Sequence, residues 1–309
     1  MKNNKMLTLT IKVIILVILG YLLYDNYYFI INKLELIYSK YFAFNNTQVL
    51  IDNEYKKETN YEYVKIYKET NIKNNEMLKN AIYTFLDAGW ENYTIFCDPS
   101  YTNCVNDTKQ IAQNNSYLTD LSNFVHPFNT FEKINTTFTS SGKITLTRNP
   151  RYNSEKINVI NNKIDEIYNS NYDPSKNIKD NIKTFHNYII NNSKYDVDNT
   201  TGDANIDSST AYGVLFKGLG ICSGYTDTMA LFLEKMGLKN YRISSSSHVW
   251  NIVYVDSKWL HIDLTWDDPI TSDGSDILSD KYFLITTEEL INRDDGEHNF
   301  DNNIYIEAQ

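Results

Sequence analysis

The chain has 309 residues and a formal net charge of −10, with 29 Lys and Arg against 39 Asp and Glu. At roughly 150 residues per domain, this length allows one large or two ordinary domains. A composition of 42% hydrophobic and 14% aromatic residues is enough for a real core and excludes global disorder. Only four of the basic residues are Arg and no Lys/Arg stripe occurs, so no nucleic-acid partner is expected.

The N-terminus places Lys2, Lys5 and Lys12 ahead of an apolar run from Val13 to Leu23. A signal peptide or a membrane anchor begins this way. Bulky YLLYDNYY follows, where a signal peptidase needs small residues, so an uncleaved single-pass anchor is expected. Met6 to Tyr24 reaches the required length if Lys12 snorkels to the interface. The positive-inside bias of Lys2 and Lys5 then leaves the rest of the chain outside the cytoplasm. In that compartment Cys97 and Cys104, separated by a Pro-containing turn, could form a disulfide, and Cys222 would be the free thiol. In a cytosolic chain the same pair would stay reduced.

Further along, Tyr27 to Asn45 is too polar to span a membrane again and reads as a stalk. Apolar residues at helical spacing predict a helix over Glu76 to Leu86, and Tyr93 to Phe96 reads as a short strand. Alternation over Phe131 to Phe138 and Lys143 to Thr147, on either side of Ser141-Gly142, predicts a hairpin. Two amphipathic helices are expected over Ile157 to Tyr168 and Ile178 to Ile190. The Asp/Asn/Ser/Thr-rich stretch Asp196 to Thr210 reads as a loop.

The chemistry lies beyond this loop. Gly218 and Gly220 precede Cys222, and Met229, Leu231, Phe232, Leu233 and Met236 then populate a helix that stops at Gly237. Cys222 therefore opens a helix, where free backbone N–H groups and the dipole favour a thiolate. A small buried cysteine is the bland alternative. Two strand-like runs, HVWNIVYV and KWLHIDLTW, meet at Asp256-Ser257. A two-residue loop there pairs Val255 with Lys258, so His248 faces Thr265 and Asp263 faces Trp250. His248 and Asp263 become diagonal neighbours on one sheet face, within reach of each other. A one-residue slip would turn Asp263 to the other face. Cys222, His248 and Asp263 thus read as nucleophile, base and orienting carboxylate.

The segment GLGICSGYTDTMALFLEKMG followed by HVWNIVYVDSKWLHIDLTWDDP closely resembles the transglutaminase-like core superfamily. Bacterial members of that superfamily show G-x-C-x-G-x-[AST], H-x-W-N and D-x-T-[WF]. The resemblance covers roughly Phe185 to Glu289, with YFLITTEEL as the final strand and turn. It implies an α+β, papain-like fold in which a catalytic helix packs on an antiparallel sheet, and it assigns the triad to Cys222, His248 and Asp263. It also implies amide chemistry through a thioester on a protein or cell-wall peptide, with an amine or water as the second acceptor. No cofactor and no metal are expected. The resulting division is a membrane anchor over 1–24, a stalk over 25–46, an accessory α+β segment over 47–151 and the catalytic domain over 152–309.

Several neighbours have competing readings. His261 shares a face with Asp263 and could join a zinc site with His248 and Cys222, but the catalytic zinc spacing is missing, so a supporting role is expected. His186 is given no role. Trp250, Trp259 and Trp266 read first as core or rim aromatics and second as walls of an acyl groove. Tyr212 and Tyr225 are guesses for the second oxyanion donor, beside the Cys222 backbone N–H. Asp196, Asp198, Asp203 and Asp207 read as a solvated loop before a calcium cage. The rival to an enzyme is a noncatalytic scaffold with the same fold.

Overall fold

The computed structural model describes residues 2–27, 31, 34, 48, 50–139, 142–197, 206–269, 277, 279–293 and 296–309. Nearly all of the expected stalk, Ser141 of the hairpin and the middle of the Asp196 to Thr210 loop lie outside these residues.

The N-terminal segment forms helix α1 (Lys2–Asp25). The anchor expected there is not supported. Among the described residues no helix is long and apolar enough to cross a membrane. Lys2, Lys5 and Lys12 interrupt the sequence, and the continuous apolar run from Val13 to Leu23 rises only about 16 Å as a helix. A hydrocarbon core is about 30 Å thick.

The first sheet comprises β1 (Asn71–Ile72), β2 (Asn92–Cys97), β3 (Phe131–Phe138) and β4 (Lys143–Pro150), in the order β1-β2-β4-β3. Helix α2 (Asn75–Asp87) begins where the Asn74 side chain accepts from the Met77 N–H, and it buries Leu78, Ala81, Ile82, Phe85 and Leu86. These positions form one helical face, and each buried large apolar side chain contributes on the order of 1.5–3 kcal/mol. Two further helices, α3 (Cys104–Gln113) and α4 (Asn115–Ser122), carry no strong sequence signal because few of their residues are apolar and buried. The Asn114 side chain starts α4 by accepting from the Tyr117 N–H. Cys97 and Cys104 are bonded, joining the end of β2 to the start of α3.

Helices α5 (Ser154–Asn171) and α6 (Ile178–Asn192) follow, capped by the side chains of Asn153 and Asn177. Lys194–Tyr195 (β5) and Leu219–Gly220 (β6) form a short parallel ladder just ahead of α7 (Cys222–Lys235). Residues Gly224 through Leu233 of α7 are all buried. On one side Phe232 stacks on Phe185 of α6 at 4.7 Å. On the other side lies an antiparallel sheet in the order β10-β9-β8-β7, made of β7 (Asn240–Ser244), β8 (Val249–Val255), β9 (Lys258–Ile262) and β10 (Phe283–Ile285). The mixed helices and sheets give an α+β architecture.

In the β8–β9 hairpin Val255 pairs with Lys258 and Asn251 with Ile262, which is the expected register. Asp256 and Ser257 have φ of 50° and 65°, so both turn residues are left-handed, as a tight hairpin that follows the sheet twist requires. The two sheets do not have separate cores. Tyr241, Ile243, Trp250 and Ile252 of the second sheet pack in the same apolar cluster as α2, β2 and β4.

Candidate active site

The N-terminus of α7 is held close to other backbone. The Ile221 N–H donates to the Ser208 carbonyl at 2.9 Å, and a Cβ on Gly224 would lie 2.3 Å from that same oxygen. Only glycine permits this approach. Cys222, the first helical residue, is partly exposed and is the one free cysteine, since Cys97 and Cys104 are bonded to each other. Its backbone N–H has no acceptor within the helix.

Sheet and helix are tied together beside this thiol. The Thr226 hydroxyl contacts the Cys222 carbonyl at 2.7 Å and the Val249 carbonyl at 3.0 Å. The Asn251 amide donates to the Thr226 carbonyl at 3.0 Å. Asn251 points away from His248, as alternation requires, and locks α7 onto β8.

His248 precedes β8, and Asp263 follows β9 as the N-cap of α8 (Leu264–Asp267). His248 Nε2 lies 2.5 Å from Asp263 Oδ2. Asp263 Oδ1 accepts from the N–H groups of Thr265, at 2.9 Å, and Trp266, at 3.3 Å. With Nε2 committed to Asp263, Nδ1 is the imidazole nitrogen left for Cys222, which lines the same groove as His248. The structure therefore places Cys222 and His248 on one groove and bonds His248 to Asp263.

Both His248 and Asp263 are buried, and their electrostatics are set by each other. Burial alone would lower the His248 pKa. The Asp263 carboxylate and the Cys222 sulfur outweigh it and push the ring up to about 10. Burial likewise opposes ionisation of Asp263, but the charge and hydrogen bond of His248, joined by His298, hold its carboxyl well below the usual range. An imidazolium between a carboxylate and a sulfur is the favoured state.

His298 carries no sequence signal that singles it out. Its Nε2 lies 2.7 Å from Asp263 Oδ2, and its ring packs edge-on to His248 at 5.2 Å and to Trp250 at 4.8 Å. Asp263 thus serves two histidines and two backbone N–H groups, which fixes its position. Trp250 is fully buried and stacks beneath His248 at 5.8 Å, so it is a floor to the imidazole rather than a wall of the groove.

His248, Asp263 and His298 offer ligand atoms within 4.8 Å of one another. Those atoms are turned on one another, because both Nε2 atoms face the same carboxylate oxygen, and a cation would have to break both contacts. His261 is not part of this cluster. Its Nδ1 accepts from the Trp250 indole N–H at 3.1 Å, its Nε2 meets Thr287 Oγ1 at 2.9 Å, and burial pushes its pKa down to about 3. It acts as a neutral brace that holds Trp250. His186 is a buried partner of Asp267 at 3.0 Å, away from the thiol.

Of the two guesses for a second oxyanion donor, Tyr225 has its hydroxyl committed elsewhere. The Tyr225 hydroxyl donates to Asp268, and Tyr212 stacks on Phe216. Tyr195 is better placed. Its strand pairs with Leu219–Gly220 just ahead of Cys222, and burial together with the Cys222 sulfur raises its phenol pKa. Its hydroxyl makes no hydrogen bond to another described residue. The signal that could have found it is the Lys194–Tyr195 ladder with Leu219–Gly220, which places Tyr195 beside the cysteine loop.

A groove of about 330 Å³ opens over the thiol, lined by Cys222, Ser244 through Val249, and Asn115, Ser116, Thr119 and Asp120 of α4. One wall therefore comes from the accessory segment.

Residues 164–264 match the transglutaminase-like superfamily, and the chain carries a transglutaminase-like core. This span includes Cys222, His248 and Asp263. Among solved structures the chain is similar to one described as a TGase, with 17% identity over 64% of this chain and 56% of that chain and a TM-score of 0.34. It is also similar to one described as "a Putative Cysteine Protease from Cytophaga hutchinsonii", with 11% identity over 48% of this chain and 65% of that chain and a TM-score of 0.28. The chain thus spans less than two thirds of either structure. No curated protein matches it.

Proposed function

We propose that the chain is a cysteine acyl-transfer enzyme acting on amide bonds of proteins or cell-wall peptides. The observation that carries this reading is that Cys222 at the start of α7 and His248 line one groove, with His248 bonded to Asp263. The sulfur of Cys222 attacks a carboxamide carbonyl and forms a C–S bond. The tetrahedral oxyanion is held by the Cys222 N–H and the Tyr195 hydroxyl. His248 gives its Nδ1 proton to the leaving nitrogen, the C–N bond breaks and a thioester remains. The acceptor then attacks the thioester while His248 takes its proton, and the thiolate departs. Asp263 keeps the ring oriented and its charge balanced throughout. An amine acceptor makes the enzyme a transferase, and water makes it a hydrolase or peptidase.

Work outside a reducing cytosol is part of the proposal. The Cys97–Cys104 bond supports it, since such bonds persist in oxidising compartments.

The test is direct. Incubation of the full chain with glutamine-containing peptides should give an acyl adduct that maps to Cys222 by mass spectrometry and is released by hydroxylamine. The Cys222→Ala chain should give none. A wild-type chain that forms no adduct with glutamine peptides, cleavable peptides or cell-wall peptides would instead support a noncatalytic scaffold.

A further inference from the structure

Asp263 is buried, and two imidazoles share one of its oxygens. Its Oδ2 lies 2.5 Å from His248 Nε2 and 2.7 Å from His298 Nε2, so each Nε2 carries a proton that this oxygen accepts. The fold holds the second ring in place. His298 is buried, stacks on Tyr282 at 5.1 Å and stands edge-on to Trp250 at 4.8 Å. The chain beyond it is anchored where Phe300 packs against Trp250 and where Thr287 exchanges hydrogen bonds with the Ala308 backbone. The titratable and charged groups around the Asp263–His248 pair are Cys222 on α7, Tyr195 on β5, His261 on β9, Asp267 on α8 and, beside the second ring, exposed Glu297 and Arg293, which lies over Tyr282. Among the described residues only His248 and His298 place a ring N–H on the Asp263 carboxylate.

The second contact matters most when His248 is neutral. In the acyl-transfer reaction the ring is an imidazolium until its Nδ1 proton goes to the leaving group. The thioester stage then holds a neutral imidazole beside a buried carboxylate, and a neutral N–H steadies that charge less than an imidazolium does. Burial favours uptake of a proton by such a pair. That proton would occupy Nδ1, the nitrogen that must accept from the second substrate. We propose, resting on the acyl-transfer reading above, that His298 is a positioning residue for the second half-reaction, whose N–H to Asp263 Oδ2 keeps the carboxylate charged while His248 is neutral and so keeps Nδ1 open. His298 itself exchanges no proton. The acceptor bonds to the thioester carbon, its proton passes to His248 Nδ1, the C–S bond breaks and the Cys222 thiolate leaves beside a restored imidazolium. The charge on Asp263 is in line with this: burial opposes it, and His298 joins His248 in holding the carboxyl well below the usual range.

The experiment separates the two half-reactions by stopped flow on the full chain, with p-nitrophenyl acetate as donor and water as acceptor. The burst of p-nitrophenolate reads acylation of Cys222 and counts folded, competent sites, and the steady rate that follows reads deacylation. His298→Phe keeps an aromatic ring against Trp250 and Tyr282 and deletes the donor. Near neutral pH it should slow deacylation by about tenfold, the scale of one hydrogen bond to a charged group, and leave the burst rate near that of wild type. The acid limb of deacylation should move up by about one pH unit, the counterpart of that tenfold effect, because the pair without His298 holds its extra proton more tightly. His298→Asn, whose shorter amide stops short of the carboxylate, should repeat the selective loss. His298→Gln, which returns an N–H near the place of Nε2, should restore most of the deacylation rate. Equal slowing of both steps with an unmoved acid limb would assign His298 a structural role and overturn the proposal, as would unchanged deacylation in both deletions. If wild type shows no burst and matches Cys222→Ala, the acyl-transfer reading itself fails, whereas a normal burst with an unmoved limb in the variants overturns the role of His298 alone.

Discussion

Asp263→Asn should lower kcat/KM for acylation by about 10²- to 10⁴-fold, the range associated with removing the charged partner of a catalytic imidazole. The asparagine can still accept from the Thr265 and Trp266 N–H groups, so the local chain path survives. What goes is the charge that steadies His248, and with it the reason the ring lies near 10. The alkaline limb of the rate, set by loss of the imidazolium, should therefore move down from about 10 toward the ordinary histidine value of 6.5. A mutant with an unmoved alkaline limb would show that Asp263 does not act through His248. The same pair contributes to stability with a definite sign. The raised His248 pKa adds stability that is fully present below 6.5 and lost as pH rises through about 10. The depressed Asp263 pKa adds stability that is present above 3.8 and lost as pH falls toward its folded value. Denaturant midpoints of wild type should be highest between those limits, and Asp263→Asn should flatten the profile.

Arg242→Ala should destabilise the chain by about 3–5 kcal/mol, the usual cost of leaving a buried charge unpaired. Arg242 Nη1 lies 2.7 Å from Asp227 Oδ1 in α7, and both side chains are buried. The other Asp227 oxygen accepts from the Tyr152 hydroxyl at 2.6 Å. The second guanidinium nitrogen donates to the carbonyls of Ser122 and Val125. One side chain thus joins β7, the helix that carries Cys222 and the end of α4 with the turn that follows it. Arg242 Nε is buried without a partner among the described residues, which offsets part of the gain and points to the lower half of the range. The thermal midpoint should fall by roughly 6–15 °C. A loss below about 1 kcal/mol would mean that the pair contributes nothing measurable, as is common for surface ion pairs.

Much of the site was legible because local rules fix it. Asp256-Ser257 admits only a tight turn, so the parity of the β8–β9 hairpin, and with it the face of Asp263, follows from counting residues. Gly237, at φ 73°, ends α7 at the expected place. His298 was not legible, because it sits in the polar stretch DGEHNFDNN and reaches Asp263 only through tertiary packing. Helices α3 and α4 were missed for a related reason. Their burial is slight, and α4 matters mainly because it walls the groove. The expected membrane anchor, read from Met6 to Tyr24, finds no support among the described residues, where no helix is long and apolar enough to cross a membrane.

The alkylation rate of Cys222 near neutral pH tests the central claim most directly, since it is the one free thiol in the chain. With iodoacetamide and intact-mass readout, wild type should react about tenfold or more faster than His248→Ala, because the imidazolium favours the reactive thiolate. Equal rates in the two chains, with both folded, would contradict the coupling of sulfur to imidazole on which the enzymatic reading rests.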